Sequence, residues 1–217
     1  MIIRVAEITA QALGRENAYI ATDDGRIADA VEKCGFKVIM TSSKAMTGTD
    51  RIAEAAGKID ADIYVNVQGD EPLLDPKNIN KIAAAKEKYI GEVINCMCPI
   101  GKDEKPEDVN IPKVVTTEDL RLIYMSRLPV PGSKSADSAP KVYWKQVCIY
   151  AFSKKELKAF SRDGRKSYLE GIEDIEILRF LELGIPVRMI KVAGGSKAVD
   201  LPGDVEAVES ILKSRAL

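Results

Sequence analysis

The stretch I-Y-V-N-V-Q-G-D-E-P, residues 63–72, decides the fold. Ile63, Tyr64, Val65 and Val67 are strand formers. Asn66 and Gln68 alternate with Val65 and Val67, so the strand turns polar as it leaves the core. Gly69 permits a tight turn and close approach of backbone. Asp70 and Glu71 then stand at the mouth of the sheet, and open α/β sheets bind ligands at the carboxyl ends of their strands. Two adjacent carboxylates there suit a hard divalent cation such as Mg²⁺. The plain alternative is a solvated acidic turn. The Q-G-D-E-P context speaks against it, because it commits a strand terminus to polar groups.

Working outward, strands and helices alternate. Residues 2–13 carry apolar side chains at helical spacing, and Gly14 stops the helix. Residues 18–22 read as a buried strand, 26–34 as a helix closed by Gly35, and 36–40 as a strand. Thr49 or Asp50 is placed to cap the helix TDRIAEAAGKI. After residue 72 come a helix over 76–89, with Pro76 in its first turn, and a strand over 92–100. The segment 110–150 is β-rich and contains a small-residue loop at 132–139. Helices at 153–160 and 168–183, a strand at 186–192 and a helix at 203–214 complete the chain. The expectation is a single α/β domain over 1–217: a Rossmann-like, mostly parallel central sheet, with the 110–150 excursion as a smaller β-rich subdomain for substrate or dimer contacts.

Composition narrows the chemistry. Of 217 residues, 32 are Lys or Arg and 33 Asp or Glu, a net charge of −1 that gives no broad basic surface for nucleic acid. There is no histidine, which excludes Ser-His-Asp and Cys-His catalysis and His-ligated zinc. Of Cys34, Cys96, Cys98 and Cys148 only one pair is close, so no zinc site is completed and reduced core cysteines are expected. No apolar run is long enough to span a bilayer and no leader opens the chain, so it reads as soluble and cytoplasmic.

Other segments offer candidates. Asp200 in AVDLPGD is a second carboxylate that completes a magnesium site with Asp70 if the two meet; its alternative is a helix-capping turn. Arg51 in TGTDR stands one turn into its helix, where amides and a guanidinium make an anion site. Arg127 in YMSRLPVP is a candidate for bidentate carboxylate binding. Gln146 and Tyr150 share one face of VYWKQVCIYAF. Most acids of LEGIEDIEILRFLE read as a solvated helix face, with Glu170 at the helix start as a candidate for polyol hydroxyls.

Taken together, NVQGDEP (66–72), TGTDR (47–51), NIPKVV (110–115), YMSR (124–127), YWKQVCIYAF (143–152), LEGIEDIEILR (169–179) and AVDLPGDVE (198–206) resemble the 3-deoxy-manno-octulosonate (Kdo) cytidylyltransferase family, the CMP-Kdo synthetases. The motifs run in family order over nearly the whole chain. The resemblance implies a nucleotidyltransferase that joins CTP to the anomeric hydroxyl of Kdo, giving CMP-Kdo and pyrophosphate for lipopolysaccharide synthesis. It maps the magnesium carboxylates onto Asp70 and Asp200, and sugar binding onto Gln68, Arg127, Gln146, Tyr150 and Glu170. It places Arg51 at the nucleotide, with Thr22 and Asp23 near cytosine and ribose, and implies a homodimer.

Two departures stand out. Some relatives carry histidine where this chain has Gln146, which leaves Kdo and an 8-amino analogue both open. The family also opens with a strand and a basic triphosphate loop before the helix that here begins at Met1. The expectation is a start assigned too late, the alternative being a fragment with impaired catalysis. Two other readings are a related nucleotidyltransferase for another sugar acid or sugar phosphate, and a non-catalytic sugar-binding module.

Overall fold

The computed structural model describes residues 1–194, 198–199 and 201–215. Helix α1 (Ile2–Leu13) buries Val5, Ala6 and Ile8 and ends at Gly14, whose φ of 87° only glycine adopts without strain. Strand β1 (Tyr19–Thr22), helix α2 (Gly25–Lys33) and strand β2 (Lys37–Met40) form a parallel two-stranded unit. Helix α3 (Gly48–Ala56) is capped by Thr47, whose hydroxyl accepts from Asp50 N at 3.1 Å. The capping residue is therefore two positions earlier than Thr49, which is buried inside the helix. Strand β3 (Tyr64–Val67) leads through the Q-G-D-E-P turn to helix α4 (Pro76–Lys88), capped by Asp75 with Pro76 in its first turn.

The larger sheet runs β6-β5-β7-β4-β8, with β3 also paired to β7; these are β4 (Val93–Pro99), β5 (Lys113–Thr116), β6 (Leu122–Ser126), β7 (Trp144–Phe152) and β8 (Val187–Lys191). The α/β class holds, but the expectation of mostly parallel pairing is corrected. Within this sheet only β4–β8 is parallel among the described residues. Strand β7 enters reversed from the 110–143 excursion and pairs antiparallel with β3, β4 and β5. Antiparallel entry needs no crossover helix, which is why a long loop suffices to deliver it. The β-rich segment thus extends the main sheet.

The expected helix over 168–183 is broken into α6 (Tyr168–Glu173) and α7 (Leu178–Glu182). Asp174 sits in the left-handed region at φ 51°. Arg127 takes the carbonyl oxygens of Glu173 and Asp174, which a continuing helix would have bonded itself. Helices α5 (Lys154–Phe160), with a Ser153–Glu156 capping box, and α8 (Pro202–Arg215) complete the structure.

Alternation along β7 divides the core. Tyr150 and Phe152 face one layer with Met97, Met125 and Phe180, while Val147, Ile149 and Ala151 face the other with Ile79, Ile82 and Ile94. The Phe152 and Phe180 rings stack at 5.4 Å, and Phe160 lies 4.8 Å from Phe180.

Candidate active site

Two clefts meet where β3 ends. The larger, about 1050 Å³, is lined by Gln68, Asp70, Arg127, Gln146, Tyr150 and Glu176 among others. The smaller, about 410 Å³, lies between β1 and β3 under α1 and α3, and its lining includes Ala21, Arg51, Asn66, Gln68 and Asp70. Gln68 and Asp70 belong to both, so the polar end of the decisive strand stands at their junction.

On the smaller side, Arg51 donates to Thr41 Oγ1 at 2.6 Å and pairs with Asp23 at 3.1 Å. Thr22 is buried, and its hydroxyl accepts from Asp24 N at 3.1 Å. The structure therefore brings Thr22, Asp23 and Arg51 together, with the Thr22 side chain occupied in shaping the turn.

Asp200 lies outside the described residues. Its neighbours do not: Val199 N donates to the Asp70 carbonyl oxygen at 2.9 Å, and Ala198, Leu201 and Asp204 line the larger cleft with Asp70. The main chain just before Asp200 is thus bonded to the mouth of the sheet. Asp70 supplies at this corner a carboxylate, the hard oxygen donor that a divalent cation of the magnesium type takes, while no group of three or more candidate ligands gathers among the described residues.

Across the larger cleft, Arg127 is held by its own chain. Its guanidinium donates to the carbonyl oxygens of Glu173 at 2.5 Å, Val109 at 2.7 Å and Asp174 at 2.9 Å. A guanidinium has five N–H groups, so donors remain for a ligand carboxylate. Glu173 accepts from Arg127 N at 2.9 Å, Ser126 Oγ at 2.8 Å and Tyr124 OH at 3.2 Å. Burial pulls its carboxyl upward, but these bonds outweigh it and hold the pKa below the ordinary carboxylate value. Lys113 is buried behind Arg127 and donates to the carbonyl oxygens of Asp108 and Arg127, tying the 108–112 wall in place. Burial lowers its pKa.

Gln146 and Tyr150 share the cleft face of β7 as expected, and Gln146 Nε2 donates to Tyr150 OH at 3.3 Å. Burial holds the Tyr150 phenol well above its usual pKa, so it remains protonated. Glu170 also lines this cleft. It is fully buried and both its oxygens are engaged, by Arg179 at 2.5 and 2.6 Å and by Ser167 N at 2.9 Å. A buried carboxylate must be paired in this way, so Glu170 stands in the wall of the larger cleft as an acceptor already held by Arg179. Arg179 also bonds Asp50 at 2.9 Å, joining α6, α7 and α3.

The carboxylate beside Gln68 is instead Glu176. It accepts from Gln68 Nε2 at 3.0 Å and from Thr49 N at 2.9 Å. Burial pushes its pKa above the usual 4.5. Reading the acids of 169–182 as one solvated helix face missed it; the signal was an acid flanked by Ile175 and Ile177. Asn95 was missed as well. It is the one polar side chain in V-I-N-C-M-C, it is fully buried, and its Oδ1 accepts from Gln146 Nε2 at 3.0 Å.

A mixed sheet with a polar junction of two clefts at one strand's carboxyl end defines an α/β protein that binds its ligands at the mouth of the sheet. Comparison with known proteins gives the family. The family model described as cytidylyltransferase matches residues 1–190. The chain is 38% identical over 216 residues to 3-deoxy-manno-octulosonate cytidylyltransferase of Myxococcus xanthus (strain DK1622), covering 99% of this chain and 87% of that one. It is 37% identical over 219 residues to 8-amino-3,8-dideoxy-manno-octulosonate cytidylyltransferase of Shewanella piezotolerans (strain WP3 / JCM 13877), covering 98% and 87%. The solved structure of a CMP:2-keto-3-deoxy-manno-octonic acid synthetase complexed with CTP superposes with a TM-score of 0.90 at 33% identity, covering 99% of this chain and 88% of that one. The chain belongs to the cytidylyltransferase family that includes these 3-deoxy-manno-octulosonate enzymes.

Proposed function

We propose that this protein transfers the cytidylyl group of CTP to the anomeric hydroxyl of a 3-deoxy-ulosonic acid, Kdo or its 8-amino analogue, for lipopolysaccharide synthesis. The observation that carries the reading is the junction: the cleft with Arg51 and the cleft with Arg127 share Gln68 and Asp70. The sugar oxygen bonds to the α-phosphorus, the bond to the β-phosphate breaks, pyrophosphate leaves and the hydroxyl proton passes to solvent.

Each side chain has a task. Arg51, oriented by Thr41 and Asp23, meets phosphate charge. Thr22 and Asp23 shape the β1 exit where the nucleoside lies. Arg127 takes the sugar carboxylate with its remaining N–H groups. Gln68, Gln146 and Tyr150 orient the sugar hydroxyls, and Glu176 holds Gln68. Asp70 and Asp200 would hold a magnesium ion. Bound there, such an ion supplies neutralisation of triphosphate charge and acidifies the attacking hydroxyl, a role that suits a chain without histidine.

A second copy of the chain would cover Ile123 and Leu128 at the β6 edge, which are 54% and 65% exposed. Sedimentation tests that dimer. No helix among the described residues is long and apolar enough to cross a membrane, and the proposed place of work is the cytoplasm, where CTP is made.

The test of function is pyrophosphate release from CTP with Mg²⁺ and either sugar acid. Release that requires the sugar acid and is lost in Asp70→Asn supports the reading. Turnover only with a sugar phosphate, or binding of the sugar acid without any release, overturns it.

A further inference from the structure

Side-chain amides are ambiguous until their partners are counted, and here the count is decisive. Strand β4 is bulged against β7 between Asn95 and Cys96. Asn95 sits at that irregularity, fully buried, and its Nδ2 donates to the carbonyl oxygens of Val147 at 3.0 Å and Ile149 at 2.8 Å. Rotating the amide would set its oxygen against two carbonyl oxygens, so Nδ2 is fixed there and Oδ1 is left as an acceptor. That oxygen takes Gln146 Nε2 at 3.0 Å, and the second hydrogen of Nε2 goes to Tyr150 OH at 3.3 Å. Both amide hydrogens of Gln146 are therefore spent inside the protein. Its Oε1 accepts from no donor among the described residues, and Gln146 lines the larger cleft.

Gln146 thus meets a ligand as an acceptor only. A hydroxyl satisfies such a group with one hydrogen but brings lone pairs that find no amide donor. An ammonium group donates three hydrogens and needs no donor in return. The surroundings are mixed in charge but favour the same choice, since acids, Glu71 and Glu176 among them, outnumber the cations Lys105, Arg127, Lys145 and Lys166 in the cleft lining.

We infer that Gln146, set by Asn95, is a specificity-determining residue that selects a sugar acid bearing an amino group over the corresponding polyol. The inference rests on the cytidylyltransferase reading above and narrows its substrate class. Asn95 acts through Gln146 and is a positioning residue.

The experiment compares kcat/KM for 8-amino-3,8-dideoxy-manno-octulosonate and for Kdo, each with saturating CTP and Mg²⁺, and repeats the comparison by calorimetric titration of each sugar. The wild type is expected to favour the amino sugar by roughly tenfold or more, the worth of one charge-assisted hydrogen bond. Gln146→Met keeps length and volume but removes the acceptor, and is expected to bring the ratio to near unity mainly through KM. Gln146→Glu is expected to raise it. Asn95→Ala, checked for folding by circular dichroism, is expected to lower the ratio because the freed amide of Gln146 can turn. A wild-type ratio near unity, or a ratio unchanged in Gln146→Met, overturns the inference while leaving the cytidylyltransferase reading standing. Binding and turnover of neither sugar by the wild type overturns both.

Discussion

Glu176 joins the two clefts, and replacing it by glutamine tests that joint with almost no change in shape. Its two oxygens accept from Gln68 Nε2 at 3.0 Å and Thr49 N at 2.9 Å, linking the β3 exit to the first turn of α3. Glutamine offers one oxygen and one NH₂, so one of these two donors must face another donor. A charge-assisted hydrogen bond is worth about 1.5–3 kcal/mol. At 1.36 kcal/mol per decade, kcat/KM for the sugar is expected to fall about ten- to a hundredfold if Gln68 is the group displaced. The assay is pyrophosphate release at saturating CTP with varied sugar, alongside circular dichroism.

The pH dependence sharpens this prediction. Burial raises the Glu176 pKa above the usual 4.5, so the folded state binds this proton more tightly than the unfolded chain. The folded state therefore loses stability from this group as pH rises from 4.5 through the raised value. Gln68 is gripped most firmly by the ionised form, so the wild-type rate carries an acid limb lying above the ordinary carboxylate range. Glu176→Gln is expected to lack that limb. A variant within twofold of wild type, or one keeping the same limb, refutes the assigned role.

Other perturbations have equally definite outcomes. Arg127→Lys keeps the charge but loses the fork that spans three carbonyl oxygens and a ligand carboxylate; KM for the sugar should rise at least about tenfold while KM for CTP changes little. Lys86 donates to Glu156 at 2.7 Å in a fully enclosed pair, so Lys86→Met should cost about 3–5 kcal/mol in urea unfolding, with much of it recovered in Lys86→Met/Glu156→Leu. Full recovery is not expected, because Glu156 also accepts from Ser153 N at 2.8 Å in the helix cap. Cys34 is exposed, whereas burial pushes the Cys96 thiol up to about 12 and raises Cys98 and Cys148 as well. Cys148 is half-buried and lines the larger cleft, so the test falls on the enclosed pair: a thiol reagent at pH 8 should spare Cys96 and Cys98 in the native protein and titrate all four cysteines in denaturant, and fast native reaction of either one contradicts its burial.

Much of this molecule was readable from local sequence because local forces decide it. Asp75 before Pro76 and Ser153 three residues before Glu156 satisfy helix-end amides within one turn, wherever the helix later docks. The polar alternation of Asn66 and Gln68 into Gly69 marked the strand exit that both clefts share, and Arg127, Gln146 and Tyr150 face the cleft as their motifs implied. Non-local pairing decided the rest. The direction of β7 depends on which strands it meets 32 to 88 residues away in the chain, and Asn95, bonded to carbonyl groups 52 and 54 residues away, gains its role only from that meeting. Glu170 and Glu176 are both acids on one amphipathic segment. Only the break at Asp174, held by Arg127 from a distant strand, turns the first toward Arg179 and the second toward Gln68. Periodicity reports which face a residue occupies; the partner waiting on that face is a property of the folded chain, because burial penalises every polar group left without one.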